Sequence, residues 1–211
     1  MSSEPSLPAY RQQSSRKTGQ LPKKYRGTYE LVDEENGQIA AYCDLIGRAM
    51  FAGLDIYDAG NRLWPLRANR KIMPTRWALQ NPSGQVIVQF DQKVLGKLTN
   101  PLYRVVLALL DSEGHERYRL VDPRSSIPDR IMSIHIGDWP LLEGDRPIAR
   151  ITKLAREPAK PARGLLGKLR NLIQITDRGF VSAGDNHALP APAVLALLLL
   201  FDEVTDTSAA D

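Results

Sequence analysis

Arg67, Arg70, Lys71 and Arg76 stand within ten positions of one another, flanked by Trp64 and Trp77, and Lys93 and Lys97 follow. Cations gathered on loops attract the oxygens of a phosphate head group, and an indole beside them suits a membrane–water interface. The competing role is structural, with both tryptophans in the core and the cations solvated. A second group lies further on. Lys168 and Arg170 interrupt Leu165, Leu166, Leu169, Leu172 and Ile173, which recur at helical spacing. A short amphipathic helix of this kind either packs its apolar side on the protein body or lies on a membrane surface. Together Arg67, Arg70, Lys71, Arg76, Lys93, Lys97, Lys168 and Arg170 are the candidate residues for an anionic lipid or a phosphate.

Other chemistry finds little support. His115, His135 and His187 share no metal-motif spacing with another ligand on one helix, so neither a metal nor a cofactor is expected. Cys43 is the one cysteine. It cannot form an internal disulfide, which points to a reducing compartment, and as a small buried hydrophobe it needs no partner, whereas a nucleophile would need a base. Asp202 and Glu203 follow an apolar run at the wrong end of a helix for its dipole. They suit a contact with a strand arginine or the point where the chain re-emerges better than a paired-carboxylate site. There is no Gly-rich phosphate loop and no Gly-x-Ser-x-Gly elbow. The sequence therefore predicts a protein that is not an enzyme.

The elements that must carry these residues are short strands. Thr28–Val32 faces Gln38–Tyr42, Ala52–Tyr57 faces Arg62–Leu66, and Arg76–Gln80 faces Gln85–Phe90. Tyr103–Leu110 faces His115–Val121, and Ile134–Leu142 faces Pro147–Lys153. Each intervening turn holds Asn or Asp and a Gly, residues that tolerate tight reversals. Five such hairpins predict a sandwich or barrel. Val86, Val88 and Phe90 alternate with Ile87 and Gln89, the period that puts one row on a core face. After Pro190 and Pro192, the run Ala193 to Phe201 has helix formers and no polar face. It is too short for a membrane span, which takes about 20 residues, so it predicts a helix buried on all sides and wrapped by the sheet.

The rest is composition. The chain of 211 residues is 43% apolar and 25% charged, with a net charge of +4, which fits one globular domain. The first 24 residues lack an apolar leader core, are rich in Ser, Pro, Gln and Lys, and predict a disordered basic arm. The folded domain is expected over 25–205, with its central helix at about 191–203 and a tail over 206–211.

Four pieces in this order resemble the tubby-like superfamily, in particular the LURP-one-related and phospholipid scramblase proteins. They are Ile56-Tyr57-Asp58-Ala59-Gly60-Asn61, the stretch Arg76 to Ile87, Tyr118-Arg119-Leu120-Val121-Asp122, and the terminal Val194 to Val204. The resemblance spans roughly 25–205. It implies a mainly β fold, a closed antiparallel barrel of about 12 strands around a buried C-terminal helix, an architecture without exposed sheet edges. It also implies phosphoinositide binding through surface Lys and Arg. Calcium-dependent lipid movement is the scramblase property. The comparable stretch here, Thr176-Asp177-Arg178-Gly179-Phe180, offers one acid, whereas calcium takes six to eight oxygens.

Three functions follow as expectations. The first is a non-catalytic binding or scaffold module touching anionic membrane lipid through basic loops, helped by the arm. The second is a protein–protein adaptor whose basic segments meet an acidic partner. The third, a scramblase-like lipid mover, has the least support. Nucleic acid is disfavoured because no recognition motif accompanies the basic segments. The expected place is the cytoplasm, peripheral at the inner membrane surface.

Overall fold

A computed structural model describes residues 10–15, 26–46, 53–70, 75–92, 105–123, 138–154, 177–182 and 189–206. The fold is mainly β, an antiparallel sheet with one C-terminal helix. The strands are β1 (Tyr10–Ser15), β2 (Arg26–Asp33), β3 (Ile39–Ile46), β4 (Gly53–Asp58), β5 (Leu63–Ala68) and β6 (Arg76–Gln80). They continue as β7 (Val86–Gln92), β8 (Val105–Leu110), β9 (Glu116–Val121), β10 (Trp139–Glu143), β11 (Arg146–Leu154) and β12 (Asp177–Ser182). The helix α1 covers Ala191–Asp206.

Every strand from β2 to β12 pairs antiparallel with its neighbour in sequence, and β1 pairs with both β2 and β12. The five expected hairpins are β2/β3, β4/β5, β6/β7, β8/β9 and β10/β11. Three of their turns, Asp58–Arg62, Asn81–Gln85 and Asp111–His115, are built alike. In each, the first residue's side-chain Oδ1 accepts from the backbone N–H two and four positions on, at 2.9–3.0 Å. In each, the fourth residue takes the left-handed backbone, as Asn61, Gly84 or Gly114. Asp and Asn form this local cap readily, and Gly or Asn takes a positive φ at small cost.

Tyr10–Ser15 lies within the segment expected to be a disordered arm. It is a strand instead, paired from Tyr10↔Asp33 to Ser15↔Thr28 on one side and from Tyr10↔Phe180 to Gln12↔Arg178 on the other. Its polar composition gives no local signal, and its order comes from two ladders with distant segments. β12 was likewise outside the five hairpins. The expected amphipathic helix over 165–173 lies outside the described residues.

The core lies between the sheet and α1. On β4, Leu54 and Ile56 are buried while Asp55 is exposed, and on β7 Val88 and Phe90 are buried with Gln89 between them. From Ala193 to Phe201 every helix residue is buried, the least so at 4% exposed. A helix without a polar face needs an apolar surround, and Leu31, Ile56, Leu66, Leu79, Phe90, Leu120 and Leu141 of the strands belong to the same core. α1 is too short to cross a membrane, and no described helix is long and apolar enough to do so.

Candidate functional site

The antiparallel order sorts the connections onto two ends. The tight turns after β2, β4, β6, β8 and β10 share one end, and the longer connections after β1, β3, β5, β7, β9 and β11 leave from the other. Charge sorts with them. The turn end carries Asp33, Glu34, Glu35, Asp58, Asp111, Glu113, Glu143 and Asp145 against Arg62 and Arg146. Between the strand ends at the opposite side the chain carries Arg16, Lys17, Lys23, Lys24, Arg48, Arg70, Lys71, Lys93, Lys97 and Arg104. It continues with Arg124, Arg130, Arg156, Lys160, Arg163, Lys168 and Arg170, and the acids there are Asp122, Asp129, Asp138 and Glu157. α1 points the same way. Its Phe201 meets Trp139 edge-on, ring centroids 5.0 Å apart, and Trp139 opens β10 at the long-connection end.

Three of the eight candidate cations fall in the described residues. Arg67 sits near the end of β5. Its Nη1 donates to the carbonyls of Leu54 (3.0 Å) and Leu66 (3.2 Å), and its Nη2 meets Asp55 Oδ1 at 2.7 Å. Arg76 opens β6 and pairs with Asp91 Oδ2 at 3.3 Å. Arg70 is exposed and makes no ion pair with another described residue. Asn69 ties the base of the connection that follows, its Oδ1 accepting from the backbone N–H of Thr75 (3.3 Å) and Arg76 (3.2 Å). Lys71, Lys93, Lys97, Lys168 and Arg170 lie outside the described residues. Arg67 and Arg76 are thus already engaged by carboxylates, while Arg70 has no carboxylate partner among the described residues.

The two tryptophans are structural. Trp77 is buried at 3% exposure in the core. Trp64 packs partly buried against it, and its indole Nε1 donates to Asp58 Oδ2 at 3.1 Å. No family model, curated protein or solved structure matches the chain.

Asp58 was not singled out as a functional residue, and its surroundings explain its burial. Its carboxylate accepts from the Gly60 and Arg62 backbone N–H groups, from Arg62 Nε at 2.8 Å and from Trp64. Burial alone pushes the carboxyl up. The Arg62 backbone, the Trp64 indole and the Arg62 guanidinium outweigh it and hold the group below its ordinary value. All acceptor positions are spoken for, so the group anchors a turn. His115 approaches Asp111 and Glu113 at 3.7 and 3.6 Å on an exposed turn. Among the described residues no three His, Cys, Asp or Glu side chains gather as a metal set. Cys43 is buried between Tyr29 and Ile56 in the ladders. Asp202 and Glu203 fall in the last turns of α1, and their side chains lie outside the described residues.

Proposed function

We propose that the chain is a non-catalytic binding module whose long-connection end meets anionic phospholipid. The observation that carries this reading is the segregation of charge between the two ends of the sheet. An acidic turn end is repelled by an anionic surface while the opposite end is attracted, so the same field that recruits the protein also orients it. The proposal includes the finer fold, a tubby-like barrel closed around α1. Pairing of β1 with both β2 and β12, and the all-round burial of α1, support that closure.

Vesicle sedimentation tests the function. Pelleting should rise with anionic lipid content and fall with salt. Replacing Arg70, Lys71, Lys93 and Lys97 with Gln should weaken it by roughly five-fold per residue, since each cation near the surface contributes about 1 kcal/mol. Replacing Glu35, Glu113 and Asp145 with their amides should leave it unchanged or tighten it. No pelleting on any vesicle overturns the lipid reading and leaves the adaptor with an acidic partner. The contribution of the N-terminal basic residues is measured by Arg16, Lys17, Lys23 and Lys24 to Gln, because a deletion through residue 26 would remove β1 as well.

A further inference from the structure

Tyr42 of β3 lies opposite Tyr57 of β4, and Tyr57 lies opposite Leu63 of β5. Ala41, Cys43 and Ile56 beside them are fully buried, so alternation turns the two tyrosines outward. Their rings stack at 5.2 Å between centroids and 18° between planes. The Tyr42 hydroxyl donates to Asn61 Oδ1 at 2.9 Å, which holds its ring in place. The two large apolar side chains left exposed among the described residues both border this pair. Leu63, 38% exposed, stands beside Tyr57, and Ile39, 42% exposed, precedes Tyr42 on β3, opposite Val32. Exposed apolar side chains scattered singly need no explanation, whereas these are gathered with the stacked rings into one strip, the mark of an interaction surface.

Charge sets this strip apart from the basic end. The two hairpins that carry it, residues 26–46 and 53–68, hold seven acids against three arginines, in a chain of net charge +4. Two of those arginines are paired within the hairpins, Arg62 with Asp58 and Arg67 with Asp55. Glu30 faces Tyr42 across the β2/β3 ladder, and Asp55, half exposed, is two positions from Tyr57 on the same face. A partner that complements this surface is therefore cationic as well as apolar. Its shape follows from the spacing. Neighbouring strands are about 4.8 Å apart, so Tyr42 and Leu63, two strands from each other, are separated by about 9.6 Å. In a polyproline II helix, prolines three residues apart are separated by about 9.3 Å. A segment crossing the strands in that conformation sets one proline on the tyrosine rings and the next on Leu63. Such a segment is already extended and loses little entropy when it docks on aromatic rings.

We infer that the outer face of β3–β5 docks a basic, proline-rich segment of a partner protein, its prolines at Pro-x-x-Pro spacing on Tyr42, Tyr57 and Leu63 and its Arg or Lys side chains in the negative field of the two hairpins. The inference does not depend on lipid binding.

Titration of the full-length chain with the peptide Arg-Ala-Ala-Pro-Ala-Ala-Pro-Ala-Arg, capped at both ends and followed by amide NMR, tests it. Signals of Tyr42, Tyr57, Asn61 and Leu63 should shift, while those of Arg117 and Arg119 on β9 should not. Replacing both prolines of the peptide with alanine, or both arginines with glutamate, should weaken binding by about ten-fold or more. Leu63→Ser and Tyr57→Ala should each weaken it by about five- to ten-fold. Leu63→Ser, on the exposed face, should keep the wild-type melting temperature, so its loss of binding is not a loss of fold. No shift with the peptide at millimolar concentration overturns the inference. So does equal binding of the alanine-for-proline peptide, which would reduce the contact to charge, or wild-type affinity in both protein variants.

Discussion

Asp58 shows how one carboxylate can hold a turn through its hydrogen bonds and its charge. Because its carboxyl sits below the ordinary value in the folded chain, the unfolded chain binds a proton more readily. The stability it adds is therefore fully present above the unfolded carboxylate value, about 3.9, and is lost as pH falls through the folded value. Asp58→Asn should lower the melting temperature at neutral pH, since an amide offers one acceptor where four donors converge, at a cost of about 1–3 kcal/mol. The gap between wild type and variant should close as the pH of a thermal melt is taken below 4. A gap independent of pH would show that the ionised form is not what matters. Gly53 is a second test at this scale. Its φ of +119° lies in a region that favours glycine, and a Cβ there would run into the Leu66 carbonyl. Gly53→Ala should destabilise by more than about 1 kcal/mol and free Arg67, whose guanidinium bonds that same carbonyl, as read by denaturant unfolding. Arg67 illustrates the limit of sequence reading. Its Asp55 partner is twelve residues away and is brought close by the β4/β5 ladder, a pairing that no local spacing of charges reveals.

At the scale of elements, the hairpins were legible because their partners are close in sequence and their turns carry Asp, Asn and Gly at fixed offsets. α1 was legible because an apolar run with no polar face admits few environments. β1 and β12 were not. Each finds partners that are distant, and Arg-Gln-Gln-Ser-Ser within β1 reads as a solvated tail until the ladder supplies its bonds. Leu198→Asp should abolish cooperative folding, because an unpaired charge buried at the middle of α1 has no water and no counter-ion. Leu63→Asp, on the exposed face, should change stability by about 0.5 kcal/mol or less. A folded Leu198→Asp protein, seen by circular dichroism and a single melting transition, would show that the sheet does not enclose the helix.

For the whole molecule, sequence gives the candidate cations one by one, but only the strand order shows that the connections after β5, β7 and β11, which hold six of them, leave the sheet at a common end. Arg76 and Arg67 lose weight as ligand contacts because Asp91 and Asp55 hold them, and Arg70 gains it. The proposed closure of the sheet makes its own prediction. Removing residues 1–9 should leave stability unchanged, whereas removing 1–15 deletes β1 and leaves β2 and β12 as bare edges. The second truncation should aggregate or lose several kcal/mol, since unpaired strand edges recruit other chains. Equal behaviour of the two truncations by size-exclusion chromatography and thermal melting would argue against β1 as a structural strand.

The order of strands along the chain also has a consequence during synthesis. Tyr10 is made well before Phe180, its partner in the ladder, and α1 follows Phe180. Each hairpin can form as it leaves the ribosome, because its contacts are local. The apolar face those hairpins present has nothing to cover it until Ala193 to Phe201 emerge. Until then the nascent sheet is an uncovered apolar surface, dependent on chaperones or on speed. A stop codon at residue 189 or a slowed terminal segment would leave that interior open, so premature termination in this gene should produce aggregates rather than a shortened, soluble domain.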